Sequence, residues 1–186
     1  MEVTRLIELM GIAEKLKCNT RHSWTSSGRR ESVAEHSWRL ALLAWFVGDE
    51  FPGADMNKII LMCLVHDMGE AFTGDIPAFT KTQAHEEAED EAVSAFLSGL
   101  PAPYNSELQA LFAEMSALET PEAKIYKALD KLEAVLQHNE ADISTWLPLE
   151  YDLQMTYGAA ETEFSDYIRR LKKALNDDTV KKIGKS

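Results

Sequence analysis

Apolar residues recur at helical spacing along nearly the whole chain, and period-two runs of β-branched residues are absent. Val3, Leu6, Ile7, Met10, Ile12 and Ala13 predict a first helix over about 2–17. The polar stretch Cys18 to Glu31, with Arg21, Trp24, Gly28, Arg29 and Arg30, reads as a loop. Ser32-Val33-Ala34-Glu35 then matches a capping box and opens a helix to about Val47. Asp55 can cap the next helix, whose segment Ile59 to Val65 is apolar on every side. Such a helix is normally buried, so this one is expected to run through the centre and to end at His66-Asp67. An acidic amphipathic helix follows over about 82–99. Ser106-Glu107-Leu108-Gln109 suggests another capping box, and Thr120-Pro121-Glu122 sets a cap, a first-turn proline and an acid in order. The helix that Thr120 opens carries Ile125, Leu129, Leu132 and Leu136. A last long helix over about 147–175 is expected to end in a basic turn (Arg169, Arg170, Lys172, Lys173), with residues 176–186 frayed. The pattern predicts an all-α, single-domain helical bundle of about 6–8 helices.

Composition narrows the field. A length of 186 residues suits one domain, and no Pro-, Gly- or Ser-rich linker divides it, so 1–186 reads as a single unit with its core at about 2–175. A net charge of −12 argues against nucleic acid and against an anionic membrane surface as partners. With 45% apolar and 27% charged residues, a wholly disordered chain is excluded. No apolar run approaches membrane-spanning length, and Met1-Glu2-Val3-Thr4-Arg5 lacks a signal-peptide pattern. Cys18 and Cys63 form no CxxC pair, which fits a reducing cytoplasm.

Chemistry concentrates in few residues. His36 lies on the apolar face of Val33, Leu40, Leu43 and Val47, where an imidazole needs a partner. Asp67 follows His66 at the end of the apolar helix, and a buried Asp is rarely unpaired. Two imidazoles and two carboxylates would suit one divalent transition metal (Mn, Co, Fe, Ni or Zn). Spacing alone does not supply the second carboxylate: Asp130 lies off the stripe of its helix, as a solvated carboxylate would, and nothing selects it over Asp142 or Asp152. Glu70, four residues after His66 and three after Asp67, projects over the same patch and is free for acid–base work. Asp75 is a second candidate. Cys63 reads as a small core residue, His22, His85 and His138 as solvated, and His85 with Glu86, Glu89 and Asp90 as an exposed acidic face. Trp38, Trp45 and Trp146 suit either core or interface.

Four stretches taken together carry more. Glu31-Ser32-Val33-Ala34-Glu35-His36-Ser37, Leu64-Val65-His66-Asp67-Met68-Gly69-Glu70, Thr73-Gly74-Asp75-Ile76-Pro77 and Ala128-Leu129-Asp130-Lys131-Leu132-Glu133 occur in that order. The chain thereby resembles the HD-domain phosphohydrolase superfamily, and within it the small single-domain branch that includes the 5′-deoxynucleotidases. The resemblance implies an HD-type helical domain over nearly the whole chain. It makes His36, His66, Asp67 and Asp130 the metal ligands, and gives Glu70 and Asp75 to proton transfer and water positioning. Members of that branch place an Arg on phosphate and a Trp against the sugar 2′ position; here these are Arg21 and Trp24, separated by His22 and Ser23. Lys81 is a further candidate substrate contact, one of the cations (with Arg29 and Arg30) that flank the motifs and could offset an overall field repelling an anion. The implied partner is a small nucleotide, and small proteins of this kind are often homodimers.

The function implied is metal-dependent hydrolysis of deoxyribonucleoside 5′-monophosphates to nucleoside and phosphate. The alternatives are an HD phosphohydrolase acting on a nucleoside triphosphate, a cyclic dinucleotide or an alarmone, a catalytically silent HD module that binds metal or nucleotide, and a plain helical scaffold.

Overall fold

The computed structural model describes residues 1–185. Eleven elements are used below: α1 (Val3–Cys18), β1 (Thr20–Trp24), β2 (Arg30–Ser32), α2 (Val33–Phe46), α3 (Met56–Val65), α4 (Glu70–Thr73), α5 (Gln83–Ser98), α6 (Tyr104–Ala117), α7 (Pro121–Glu140), α8 (Glu150–Thr156) and α9 (Asp166–Ile183). The architecture is an all-α bundle with one small antiparallel hairpin, as the helical periodicity predicts save for the hairpin.

Local chemistry sets most boundaries. The Ser32 hydroxyl accepts the Glu35 N–H while the Glu35 carboxylate accepts the Ser32 N–H, closing the capping box of α2. Asp55 accepts the Lys58 N–H at the start of α3, and Thr120 accepts the Ala123 N–H with Pro121 in the first turn of α7. Ser106 is not a cap. It lies inside α6, which starts at Tyr104, and its hydroxyl donates to the Pro103 carbonyl.

Three further expectations change. The segment Cys18 to Glu31 is no simple loop: Thr20 pairs with Ser32 and Trp24 with Arg30, and Gly28 supplies the positive φ (82°) that the connecting turn requires. The long helix expected over about 147–175 is two helices. Gly158, at φ 74°, breaks it, and Ser165 caps α9 through the Ile168 N–H. Arg169 and Arg170 therefore stand near the start of α9, and its last-turn cations are Lys181 and Lys182. Lys172 is buried and donates to the Gln154 carbonyl. The helix also continues to Ile183, through residues expected to fray, with Leu175 and Thr179 buried along it.

The third change concerns the centre. Ile59, Met62 and Cys63 of α3 are buried, but Leu61 and Leu64 are 43% and 46% exposed. The helix walled on every side is α7, which packs against α2, α3, α6, α9 and β1. Ile125, Leu129 and Leu132 face the main core with Leu40 of α2, Met62 of α3 and Ile168 of α9. Its remaining face is also buried, although it carries Asp130, Glu133, Gln137 and His138. No helix of the described residues is long and apolar enough to cross a membrane.

Gly158 tests the break. A Cβ there would lie 2.6 Å from the Lys131 Cβ, on a backbone conformation that L residues rarely adopt. Gly158→Ala should cost at least about 1 kcal/mol, read as a lower urea midpoint; an unchanged midpoint would refute this account of the turn.

Candidate metal centre

Three helices converge on one point beneath the hairpin. α2 supplies His36, the end of α3 supplies His66 and Asp67, and α7 supplies Asp130. His36 Nε2 lies 3.2 Å from Asp130 Oδ1 and 4.0 Å from Asp67 Oδ2. His66 Nε2 lies 3.1 Å from Asp67 Oδ2 and 3.5 Å from Asp130 Oδ1. Burial of Asp130 reverses what spacing alone suggested: the polar stripe of α7 faces this cluster rather than water.

The outer nitrogens fix the two rings. His66 Nδ1 donates to the Cys63 carbonyl at 2.9 Å, as the helical fold of α3 dictates. His36 Nδ1 donates to the carboxylate of Glu133, which is fully buried and has Arg39 Nε 3.6 Å from its other oxygen. Both Nε2 lone pairs are thereby aimed at two carboxylates, an arrangement that needs a proton or a cation in its midst. Carboxylate–imidazole–metal chains of this kind set ring orientation and ligand basicity.

The electrostatics carry the same demand. Burial alone would lower the pKa of His66, yet Asp67 and Asp130 push it up to about 10. Burial works against ionisation of Asp67, but His66, His36 and Arg21 hold it below the ordinary carboxylate range. Asp130 is likewise held low, against burial, by Lys127 and both imidazoles; Lys127 Nζ donates to its Oδ2 at 3.0 Å. Two nitrogens and two carboxylate oxygens fit a divalent transition ion, and the buried His66 Nε2 makes no hydrogen bond of good geometry.

Around this cluster stand the acid–base and substrate candidates. Glu70, first residue of α4, is buried, and its Oε2 has no hydrogen-bond partner. Burial, then the charges of Asp67 and Asp75, push its pKa up to about 9. Asp75, after the positive-φ Gly74, is raised as well, mainly by burial. Arg21 Nη1 donates to Asp67 Oδ2 at 3.3 Å, with Nε 3.6 Å from Glu31 Oε2. Burial raises Glu31, and Glu133 adds to this, bringing it to about 7.

Two clefts open beside the cluster. One, of about 620 Å³, has Arg21 and Asp75 at its inner end and continues past Phe79, His138 and Glu150. The other, of about 1040 Å³, is lined by His66, Tyr126, Lys127 and Lys81. Lys81 is paired there with Glu89. Trp24 lines neither: the hairpin carries it outward, where it stacks on Arg30 and meets the edge of His22. Arg29 is held by Glu35 on the exposed side.

Sequence reasoning passed over Glu133 and Glu31 as partners of the site; the available signal was Glu133 three residues after Asp130, on one helical face. It also misjudged His22 and His138. Neither is solvated, because both flank the buried carboxylate of Glu150 in the first cleft. His85 is exposed and accepts the Thr82 N–H, as an outward-facing residue of an acidic helix can.

Comparison with known proteins now decides the family. The HD domain family model matches residues 13–172. The chain belongs to the HD domain family. It is 34% identical over 140 residues to 5′-deoxynucleotidase HDDC2 of Homo sapiens, covering 73% of this chain and 67% of that protein. It is 31% identical over 148 residues to 5′-deoxynucleotidase HDDC2 of Dictyostelium discoideum, with 74% and 78% covered. Among solved structures, a predicted metal-dependent phosphohydrolase of Magnetospirillum magnetotacticum superposes with a TM-score of 0.78 at 29% identity, covering 96% of this chain and 94% of that one. HD-domain membership implies metal dependence, and the residues described above fit that requirement.

A divalent ion such as Mn²⁺ or Zn²⁺ should raise the melting temperature of chelator-treated protein, because it binds the folded cluster preferentially. Asp130→Asn should abolish the increment, and Glu133→Gln should weaken metal affinity by about 10–100-fold. A melting temperature indifferent to metal and chelator would contradict the assignment.

Proposed function

We propose that the chain is a metal-dependent 5′-deoxynucleotidase that hydrolyses deoxyribonucleoside 5′-monophosphates to nucleoside and phosphate. The convergence of the His36, His66, Asp67 and Asp130 donors beside an uncharged Glu70, at the inner end of a cleft headed by Arg21, carries this reading. The names of the human and Dictyostelium relatives support the substrate class. The donor set suits Mn, Co, Fe, Ni or Zn. When bound, such an ion supplies Lewis acidity at the phosphoryl group.

The chain's own residues do the rest. Arg21 and Lys127 pair with Asp67 and Asp130, so a phosphate drawn to the cluster meets a cation from each side. This local charge works against the repulsion expected from a net charge of −12. Attack by water on phosphorus breaks the bond to the ribose 5′ oxygen, which needs a proton as it leaves. Glu70 holds one at neutral pH, since burial raises its pKa, and can deliver it. Asp75 orients the attacking water from the cleft side. Trp24 lines neither cleft, so we assign the wall beside the sugar to His22 and Phe79, whose rings meet edge to face at 5.3 Å.

A second copy of the chain is the macromolecular partner we propose. Within α2 every exposed position is apolar (Trp38, Leu42, Trp45 and Phe46), and α3 adds exposed Leu61 and Leu64. Two bodies of charge −12 approach most readily where neither carries charge, and this face has none at its exposed helix positions. Trp146, by contrast, is buried. The free thiols of Cys18 and Cys63 suit the reducing cytoplasm we assign as its location.

Phosphate release from a panel of ribo- and deoxyribonucleoside 5′-monophosphates, with added metal, tests the activity. Release from the deoxy forms is expected; release from triphosphates alone would overturn it. Glu70→Gln should lower kcat by about 10²–10⁴. A general acid works only while protonated, so kcat should fall as pH rises through the Glu70 value. A bound cation draws that value down, placing the alkaline limb at or below about 9, and Glu70→Gln should lack it. Trp45→Glu should convert a dimer to a monomer in sedimentation; a wild-type monomer would refute the interface.

A further inference from the structure

A third cleft, of about 760 Å³, includes none of the metal-binding or acid–base residues; Lys17, Arg29, Arg30, Glu35 and Trp38 form its charged and aromatic walls. It is basic in a chain of net charge −12. Arg29 is neutralised by two hydrogen bonds to Glu35, of 2.9 and 2.6 Å. Arg30 has no carboxylate partner among the described residues; its guanidinium stacks on Trp24, 4.8 Å from the ring centroid. Lys17 adds an exposed cation, 4.0 Å from Glu14. An unpaired arginine beside the exposed ring of Trp38 suits an anionic group on a surface that also brings apolar cover.

Trp38 belongs both to this cleft and to the apolar face of α2. Along that face Trp38, Leu42 and Trp45 recur at helical spacing, and Asp49 continues the same spacing past the end of the helix. Asp49 and Glu50 lie in the turn Gly48–Glu50; both are exposed, and neither has an ion-pair partner among the described residues. The face therefore runs from unpaired cations at the start of α2, through apolar residues, to unpaired carboxylates at its end. Such a surface complements itself when turned end for end. A two-fold axis crossing α2 at the level of Ala41 and Leu42 lies about 11 Å from Ala34 and about 11 Å from Asp49, at roughly 1.5 Å of rise per residue. It sets Trp38 of each copy against Trp45 of the other and brings Asp49 to the mouth of the other copy's basic cleft. A parallel arrangement would oppose like charge to like at both ends. We propose that two copies of the chain pack α2 against α2 in antiparallel sense, clasped at each end by Asp49 of one copy on Arg30 of the other. This rests on the second-copy reading given above and adds the orientation and the charged contact to it.

Sedimentation of the full chain over a range of concentrations tests it. The wild type should be a dimer. Arg30→Glu and Asp49→Arg should each raise the dimer dissociation constant by about tenfold or more, because one reversal acts at both ends of a symmetric dimer and sets like charges in contact. Circular dichroism matching the wild type separates loss of the contact from loss of the fold. The chain carrying both reversals should return to near wild-type affinity, since each clasp then re-forms with its signs exchanged. Mixed in equal amounts, the two single variants should form a heterodimer tighter than either homodimer, and this comparison needs no wild-type reference. Single reversals that leave the dissociation constant unchanged, a double variant no better than the singles, or a mixture without a preferred heterodimer would each overturn the antiparallel clasp. If Trp45→Glu still gave a monomer in those cases, the apolar interface would stand without the clasp. A wild-type monomer would overturn both readings and leave this face to another kind of partner.

Discussion

The molecule is organised around a cluster of carboxylates largely withdrawn from water. Asp130 and Glu133 of α7, Asp67 at the end of α3, Glu31 on the hairpin and Glu70 on α4 lie in or beside one buried volume. Charges of one sign in such a place must be neutralised, by protons or by cations. The fold answers with His36, His66, Arg21, Arg39 and Lys127, each touching at least one of these carboxylates. What is left over defines chemistry. Glu70 keeps a proton because burial, and then the charges of Asp67 and Asp75, raise its pKa, and the two inward imidazole nitrogens ask for an ion.

Much of the layout depends on that constraint. Glu133 fixes the His36 ring from behind while Arg39 braces Glu133, and Arg39 in turn is clamped by Gln137 and Glu140. The hairpin, tied to α7 where Gln137 donates to the Trp24 carbonyl at 2.7 Å, brings Arg21 onto Asp67. Positioning of this kind suits phosphoryl transfer, which relies on placement and electrostatics more than on covalent help from the protein. An acidic protein can then handle an anionic substrate, because the cations that matter are held at the cluster rather than spread over the surface.

Helices α7 and α3 explain which features were legible in the sequence. His36 and Asp67 stand where an unpaired polar group would be costly, so their need for partners could be read directly. Asp130 could not, because a polar stripe on a helix ordinarily faces water, and on α7 it faces the histidine–aspartate cluster, the hairpin and the Glu150 cleft. On α3 the same rule fails in the opposite sense: Leu61 and Leu64 face outward, where apolar residues are not expected unless something covers them. Four ordered motifs and their family resemblance recovered Asp130, but they say nothing about Glu133 as the support of His36, or about His22 and His138. Those pairings join residues far apart in the chain, and only the packing of β1, α7 and α8 reveals them. The caps at Ser32, Asp55 and Thr120 were local and legible; the break at Gly158 was set by a tertiary approach to Lys131 and was not.

The most direct test of the central claim is the position of the ion itself. Anomalous diffraction from crystals grown with Mn²⁺ or Zn²⁺ should show one strong peak per chain, about 2.0–2.3 Å from His36 Nε2, His66 Nε2 and a carboxylate oxygen of both Asp67 and Asp130. A peak held instead by Glu31, His36 Nδ1 and Glu133, or no peak at either position, would contradict the account.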